Sequence, residues 1–292
     1  MVINIVLWTV CFFLVLENII LIFHFRSAIF RKISCVLNRN KDLDSSVRFI
    51  DGEDEWYINH SQGPILIMHG AGGTGHRYSN SKEGILSSIE KGYSIIEIDI
   101  GITSDNVLVL THRFMPDDEI CFESRPSFKE FLKRGAPYGE TALSLKDFFD
   151  CFSNSSVFFI LDCAHGLEEN VAQWVKDNIA PDKRRNLIFQ VHTQSLLLKI
   201  YKMKVFEHLH YNGSCRNIVE SIYSLKECNI HTCSIADEEL FSSNVDLLKI
   251  VNSGLHVFAY TINHKRRLES LISLGVDGAF TDTLTMEDVN DL

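Results

Sequence analysis

Two carboxylates stand one residue apart in the segment IIEIDI, residues 95–100. In an extended strand successive side chains point to opposite faces, so Glu97 and Asp99 share one face while Ile96, Ile98 and Ile100 share the other. Two like charges that close repel, and burial makes each ionised form costlier. A cation is the simplest group that would hold them together. Other polar residues stand at or just beyond the ends of apolar runs: His69, His112, Asp162 with His165, Gln190 with His192, His208 with His210, Thr261 with Asn263, and Asp282. Taken singly, such a histidine reads as a hydrogen-bonded loop residue and such an aspartate as a helix cap. Their convergence offers three carboxylates and a pair of histidines, which suit a hard divalent cation and acid–base work. Glu97 and Asp99 would bind the ion with Asp162 opposite, and oxygen ligands favour Mg2+, Ca2+ or Mn2+ over zinc. Phosphodiester cleavage fits this set: the cation neutralises the phosphate, one histidine takes a proton from the attacking oxygen, and the other protonates the leaving alcohol.

These residues need a scaffold that brings strand ends together. Residues 63–292 alternate apolar runs with helical periodicity. The runs Ile65–His69, Ser94–Ile100, Val157–Asp162, Leu187–Val191, Val205–Leu209, His231–Ile235, His256–Thr261 and Gly278–Thr281 read as strands. Val107–Thr111 reads as an extra one after the turn signal SDN. Stretches such as SKEGILSSIEKG, with Asn80 as N-cap and Gly92 as stop, read as helices. Eight strand–helix units over this length predict an α/β fold, the (β/α)8 TIM barrel, whose sites lie at the C-terminal ends of the strands. An open doubly wound sheet is the second choice, weakened because no GxGxxG follows the first strand.

The chain has 292 residues, 46% of them hydrophobic, and a formal net charge of −10. It can bury a large core, and its acidity argues against nucleic acid as a partner. Its eight cysteines show no CxxC spacing and read as reduced thiols. The apolar run from Val2 to Phe25 is long enough to cross a ~30 Å hydrocarbon layer as a helix. No basic n-region or small-residue cleavage pattern marks it as a secretory signal. Arg26, Arg31, Lys32, Arg39 and Lys41 follow it, which predicts a single-pass membrane anchor with the rest of the chain cytoplasmic. The expected organisation is an anchor at 1–25, a juxtamembrane linker at 26–62 and the barrel at 63–292.

Two blocks then carry a resemblance. IMHGAGG with YSNSKEGILSSIEKGYSIIEIDIGITSDNVLVLTH, and the closing AYTINHKRRLESLISLGVDGAFTD, resemble the end blocks of the glycerophosphodiester phosphodiesterase family. FFILDCA falls where that family has its third metal ligand. The resemblance spans about 63–285 and implies a barrel that hydrolyses glycerophosphodiesters or related lipid head groups to a phosphomonoester and an alcohol. It makes His69 and His112 the acid–base pair and Glu97, Asp99 and Asp162 the metal ligands. It also exposes departures: Gly70 stands where the family commonly has arginine, Arg113 where it has aspartate, Ala164 where it has lysine, and Asp162 where it has glutamate. Two cationic phosphate contacts are thereby missing, and His76, Arg77, Arg113 and His165 are the candidate replacements. The GAGGTG loop, Gly70 and Gly72 included, could cradle phosphate with backbone N–H groups. The alternatives are a catalytically weakened barrel that binds a phosphorylated ligand or partner, and a cyclising phospholipase of C or D type.

Overall fold

The computed structural model describes residues 63–112, 125–242 and 244–289, all within the unit Asp54–Leu292. The expected anchor, the linker and Arg113 lie outside the described residues. Among the described residues no helix is long and apolar enough to cross a membrane.

The strands are β1 (Ile65–Met68), β2 (Ile95–Ile102), β3 (Leu108–Leu110), β4 (Phe158–Cys163), β5 (Leu187–Val191), β6 (His208–Asn212), β7 (Thr232–Ala236), β8 (His256–Tyr260) and β9 (Gly278–Thr281). They form one sheet in the order β1-β9-β8-β7-β6-β5-β4-β2-β3. All pairings are parallel except β2–β3. The Met68↔Ile96 pairing of β1 with β2 closes eight parallel strands into the (β/α)8 barrel expected from the sequence. Helices cover the outside, among them Lys82–Glu90, Leu145–Phe152, Glu168–Asn178, Gln194–Met203, Cys215–Glu227 and Lys265–Ile272.

The alternation in IIEIDI separates two cores. Ile96, Ile98 and Ile100 face outward into the large cluster between sheet and helices. Ile95 instead joins Ile65, Ile67, Ile160, Ile188, Phe258 and Phe280 in the barrel interior. These apolar residues fill the lower barrel, and the same inward faces turn polar toward the strand ends. Local signals support the arrangement. Leu145–Phe152 opens on a capping box in which Ser144 Oγ accepts from Asp147 N at 3.0 Å and the Asp147 carboxylate accepts from Ser144 N at 3.1 Å, a motif worth ~1 kcal/mol.

Two expectations need correction. The strand placed at Val205–Leu209 runs instead over His208–Asn212. VFEHL opens on two adjacent apolar residues, whereas polar–apolar alternation holds only over HLHYN, the observed strand. Lys204, left-handed at φ 51° after the helix, and the pairing Ile188↔His208 set the actual register. His210 is therefore buried within the strand, not at its flank. The second correction concerns Asn80. The helix Lys82–Glu90 is capped by Ser81, whose Oγ accepts from Gly84 N at 2.9 Å, and Asn80 is free for another task.

Candidate active site

The acidic pair is built by β2 and its parallel neighbour. Strand pairing sets Asp99 directly beside Asp162 of β4, and Glu97 lies on the same inward face one layer down. One carboxylate oxygen from each of Glu97, Asp99 and Asp162 lies within 4.8 Å of the others. Glu97 is 2% exposed and Asp99 9%. Among the described residues, one oxygen of each carboxylate is held by a hydrogen bond. Gly70 N donates to Glu97 Oε2 at 2.6 Å. Asn80 Nδ2 donates to Asp99 Oδ2 at 2.7 Å, and Asp99 N returns a bond to Asn80 Oδ1 at 2.8 Å. His192 Nε2 lies 2.8 Å from Asp162 Oδ1.

The electrostatics show what the cluster lacks. Burial, then repulsion from Asp99 and Asp162, pushes the Glu97 carboxyl well above its usual range. Burial and the charge of Asp162 push Asp99 up to about 7, against the opposing bond from Asn80. Burial works against the His192 imidazolium, but the hydrogen bond and charge of Asp162 outweigh it and raise its pKa. Without a cation, Glu97 and Asp99 thus resist ionising together. Three convergent oxygen donors of this kind fit a hard divalent ion such as Mg2+ or Ca2+.

The histidines flank this cluster. His69 opens a short 3-10 turn at the end of β1. Its Nδ1 lies 3.0 Å from Asp282 Oδ1 beyond β9. An ionised carboxylate only accepts, so Nδ1 carries the proton and Nε2 is left for acid–base work. Asp282 is itself fixed by Asn263, whose Nδ2 donates to Oδ2 at 2.8 Å and whose Oδ1 accepts from Asp282 N at 2.8 Å. Burial works upward on the Asp282 carboxyl, but the bonds from His69 and Asn263 hold it below its usual range. His112 is placed by the β2–β3 hairpin, where Asn106 takes the turn at φ 63° and Thr111 N donates to Asp99 O at 2.9 Å. The Tyr78 ring sits between the two histidines, with centroids 4.7 Å from His69 and 4.2 Å from His112.

A cavity of about 460 Å³ opens over these groups and is lined by His69, His112, Glu97, Asp99, Asp162 and Arg77, among others. Arg77 Nε lies 3.1 Å from Asp282 Oδ2, which brings one cation to the rim. Of the other expected phosphate contacts, His76 and His165 are placed elsewhere. His76 stacks on Tyr138 at 3.9 Å between centroids. His165 has a side chain 86% exposed near Glu168. Neither lines the cavity. In the glycine loop three of the N–H groups are already engaged: Gly70 N by Glu97, Gly72 N by His69 O at 3.1 Å, and Gly75 N by Gly72 O at 2.9 Å. Gly70 serves geometry instead. Its φ is 53°, and a Cβ there would meet Tyr78 Cα at 2.7 Å.

Sequence reading left Tyr78, His192 and Asp282 without roles and made Asn80 only a helix cap. His192 and Asp282 were visible as polar strand ends. Asn80 was masked by its fit to a helix cap, and Tyr78 carried no signal.

No protein-family model matches the chain, and no curated protein matches it. Solved structures do. A glycerophosphodiester phosphodiesterase from Parabacteroides distasonis is similar at 18% identity, with a TM-score of 0.60, 77% of this chain and 94% of the other being covered. One from Thermotoga maritima gives 19%, 0.54, 75% and 94%. A phosphodiesterase from Oleispira antarctica, solved in complex with the product sn-glycerol-3-phosphate, gives 20%, 0.59, 76% and 94%. The chain thus has a TIM barrel similar in fold to those of these enzymes, and Glu97, Asp99 and Asp162 form a carboxylate group that could hold a metal ion.

Proposed function

We propose that this protein is a metal-dependent phosphodiesterase that cleaves glycerophosphodiesters to a phosphomonoester and an alcohol. The observation that carries the reading is the meeting of three carboxylates within 4.8 Å in a cavity that His69 and His112 also line. The similarity in fold to a phosphodiesterase holding glycerol 3-phosphate supports the choice of substrate.

Glu97, Asp99 and Asp162 would hold a divalent cation, Mg2+ or Ca2+, which when bound supplies positive charge against the phosphate. The protein's own groups do the rest. Arg77 adds a cationic contact at the rim, on the same side as Asp282. His69, oriented by Asp282, and His112, held against Tyr78, move protons on the attacking and leaving oxygens. Asp282 acts as a positioning residue: it fixes the His69 tautomer and favours the imidazolium when it forms. The apolar run Val2–Phe25 and the basic residues after it support a membrane-anchored enzyme with its barrel on the cytoplasmic side.

The test is hydrolysis of a glycerophosphodiester panel by the purified chain. Turnover is expected with Mg2+ or Ca2+, to be lost with chelator and to return when metal is added back. The product is expected to be a linear phosphomonoester; a cyclic phosphate would transfer the chain to the cyclising class. Inactivity on the whole panel, with no metal bound, would favour a barrel that only binds a phosphorylated ligand.

A further inference from the structure

Tyr78 is held in a backbone conformation that aromatic residues rarely adopt, with φ at 52°. The surrounding structure pins it there. A Cβ on Gly70 would meet Tyr78 Cα at 2.7 Å and Tyr78 Cδ1 at 3.0 Å, so only glycine lets the two segments touch. Two residues on, Asn80 N donates to Gly70 O at 3.0 Å, and the Asn80 amide is tied to Asp99. Strained backbone maintained in this way collects at functional sites, where it fixes a side chain in a working position.

Tyr78 lines the cavity together with the three carboxylates and both histidines. Its ring meets the His69 ring edge-on and lies tilted against that of His112. A phenylalanine ring would pack equally well, so these contacts leave the hydroxyl unexplained. Among the described residues no hydrogen bond engages it. Burial, then the charges of Asp282, Asp99 and Glu97, raise the phenol's pKa against the pull of Arg77. The phenol therefore keeps its proton and stays a neutral donor. Donors for a phosphate are scarce in this cavity. Among the described residues Arg77 is the one arginine or lysine that lines it, and Arg77 is paired with Asp282. A second cation here would compete with the metal for Glu97 and Asp99, whereas a phenol does not.

We infer that Tyr78 is a further catalytic residue, whose hydroxyl, placed between the acid–base pair, donates a hydrogen bond to a non-bridging oxygen of the scissile phosphate. The inference rests on the phosphodiesterase reading and adds a residue to its chemistry. A donor fixed before the reaction begins stabilises the charge on that oxygen as the transition state forms, with no reorganisation at that moment.

Tyr78→Phe removes the donor and keeps the ring. With Mg2+ or Ca2+ present, kcat of the purified chain on glycerophosphocholine is expected to fall ~10²-fold, the lower end for loss of one such donor. KM, the metal concentration for half activation and the pH–rate profile are expected to stay close to those of the wild type. A role confined to spacing the histidines predicts wild-type kcat in this variant, and that result would overturn the inference. A loss of rate that comes with a shifted pH–rate profile or weakened metal activation would also overturn it, because the damage would then lie in the histidines or the carboxylates. Wild-type crystals soaked with sn-glycerol 3-phosphate and metal keep the inference testable should Tyr78→Phe not fold. The Tyr78 hydroxyl is expected within hydrogen-bonding distance of a phosphate oxygen, and a phosphate bound out of its reach would overturn the assignment. Diester hydrolysis by the wild type with an unimpaired Tyr78→Phe would remove this inference alone. A wild type that hydrolyses no diester with metal present would overturn the phosphodiesterase reading and this inference together.

Discussion

Glu97→Gln is expected to lower metal-dependent phosphodiester hydrolysis at least ~10³-fold and, in the same protein, to stabilise the metal-free fold. The two effects come from one cause. Glu97 lies buried beside Asp99 and Asp162, where burial and repulsion oppose its charge. Removing that charge relieves the metal-free state and takes an oxygen ligand from the metal-bound one. The pH dependence follows. Asp99 titrates near its ordinary 3.8 when unfolded and at about 7 when folded. Between those values the folded state holds more protons than the unfolded state, so metal-free stability falls as pH rises from about 4 to about 7. In Glu97→Gln part of the repulsion is gone and this decline should flatten; saturating Mg2+ or Ca2+ should reverse it in the wild type alone. Thermal melts at pH 5 and pH 7.5, with chelator and with metal, read both effects. A wild-type melt indifferent to pH and metal would count against the cluster as a cation site.

His69→Ala and His112→Ala are each expected to reduce kcat by ~10²–10⁴-fold, the range for a lost general acid or base. Metal binding should persist in both, because neither side chain is among the three clustered ligands. The two differ in their supports. His69 is tied to Asp282, so Asp282→Asn should depress kcat and shift the pH–rate profile while leaving KM little changed. His112 is exposed and rests on Tyr78. Exogenous imidazole that partly restores either variant would support a proton-transfer role. Wild-type turnover in either alanine variant would remove that residue from the chemistry.

The barrel was legible because its signals are local and repetitive. IIEIDI shows its two faces by alternation alone, and the structure puts Ile96, Ile98 and Ile100 outside and Glu97 and Asp99 within. The meeting of Asp99 with Asp162 needed only the assumption of neighbouring parallel strands. What stayed hidden depends on three-dimensional partners. The strand at His208–Asn212 was placed early because Val205 and Phe206 are apolar, although only HLHYN alternates; the pairing of Ile188 with His208 fixes the start. Asn80 satisfied a helix-cap pattern that Ser81 fills, while its amide holds Asp99. The GAGGTG loop looked open to phosphate because composition does not reveal that the N–H groups of Gly70, Gly72 and Gly75 are already engaged. Gln190 was visible as a polar strand end and Ser234 carried no signal; the burial of Gln190 Oε1 and Ser234 Oγ without partners shows only in three dimensions.

The most direct measurement is anomalous diffraction from crystals soaked in Mn2+, a hard ion that takes the same oxygen ligands. The account predicts one strong peak at the mouth of the barrel, within coordination distance of Glu97, Asp99 and Asp162 together and absent in Glu97→Gln. No peak there at saturating Mn2+, or one that ignores these carboxylates, would contradict it.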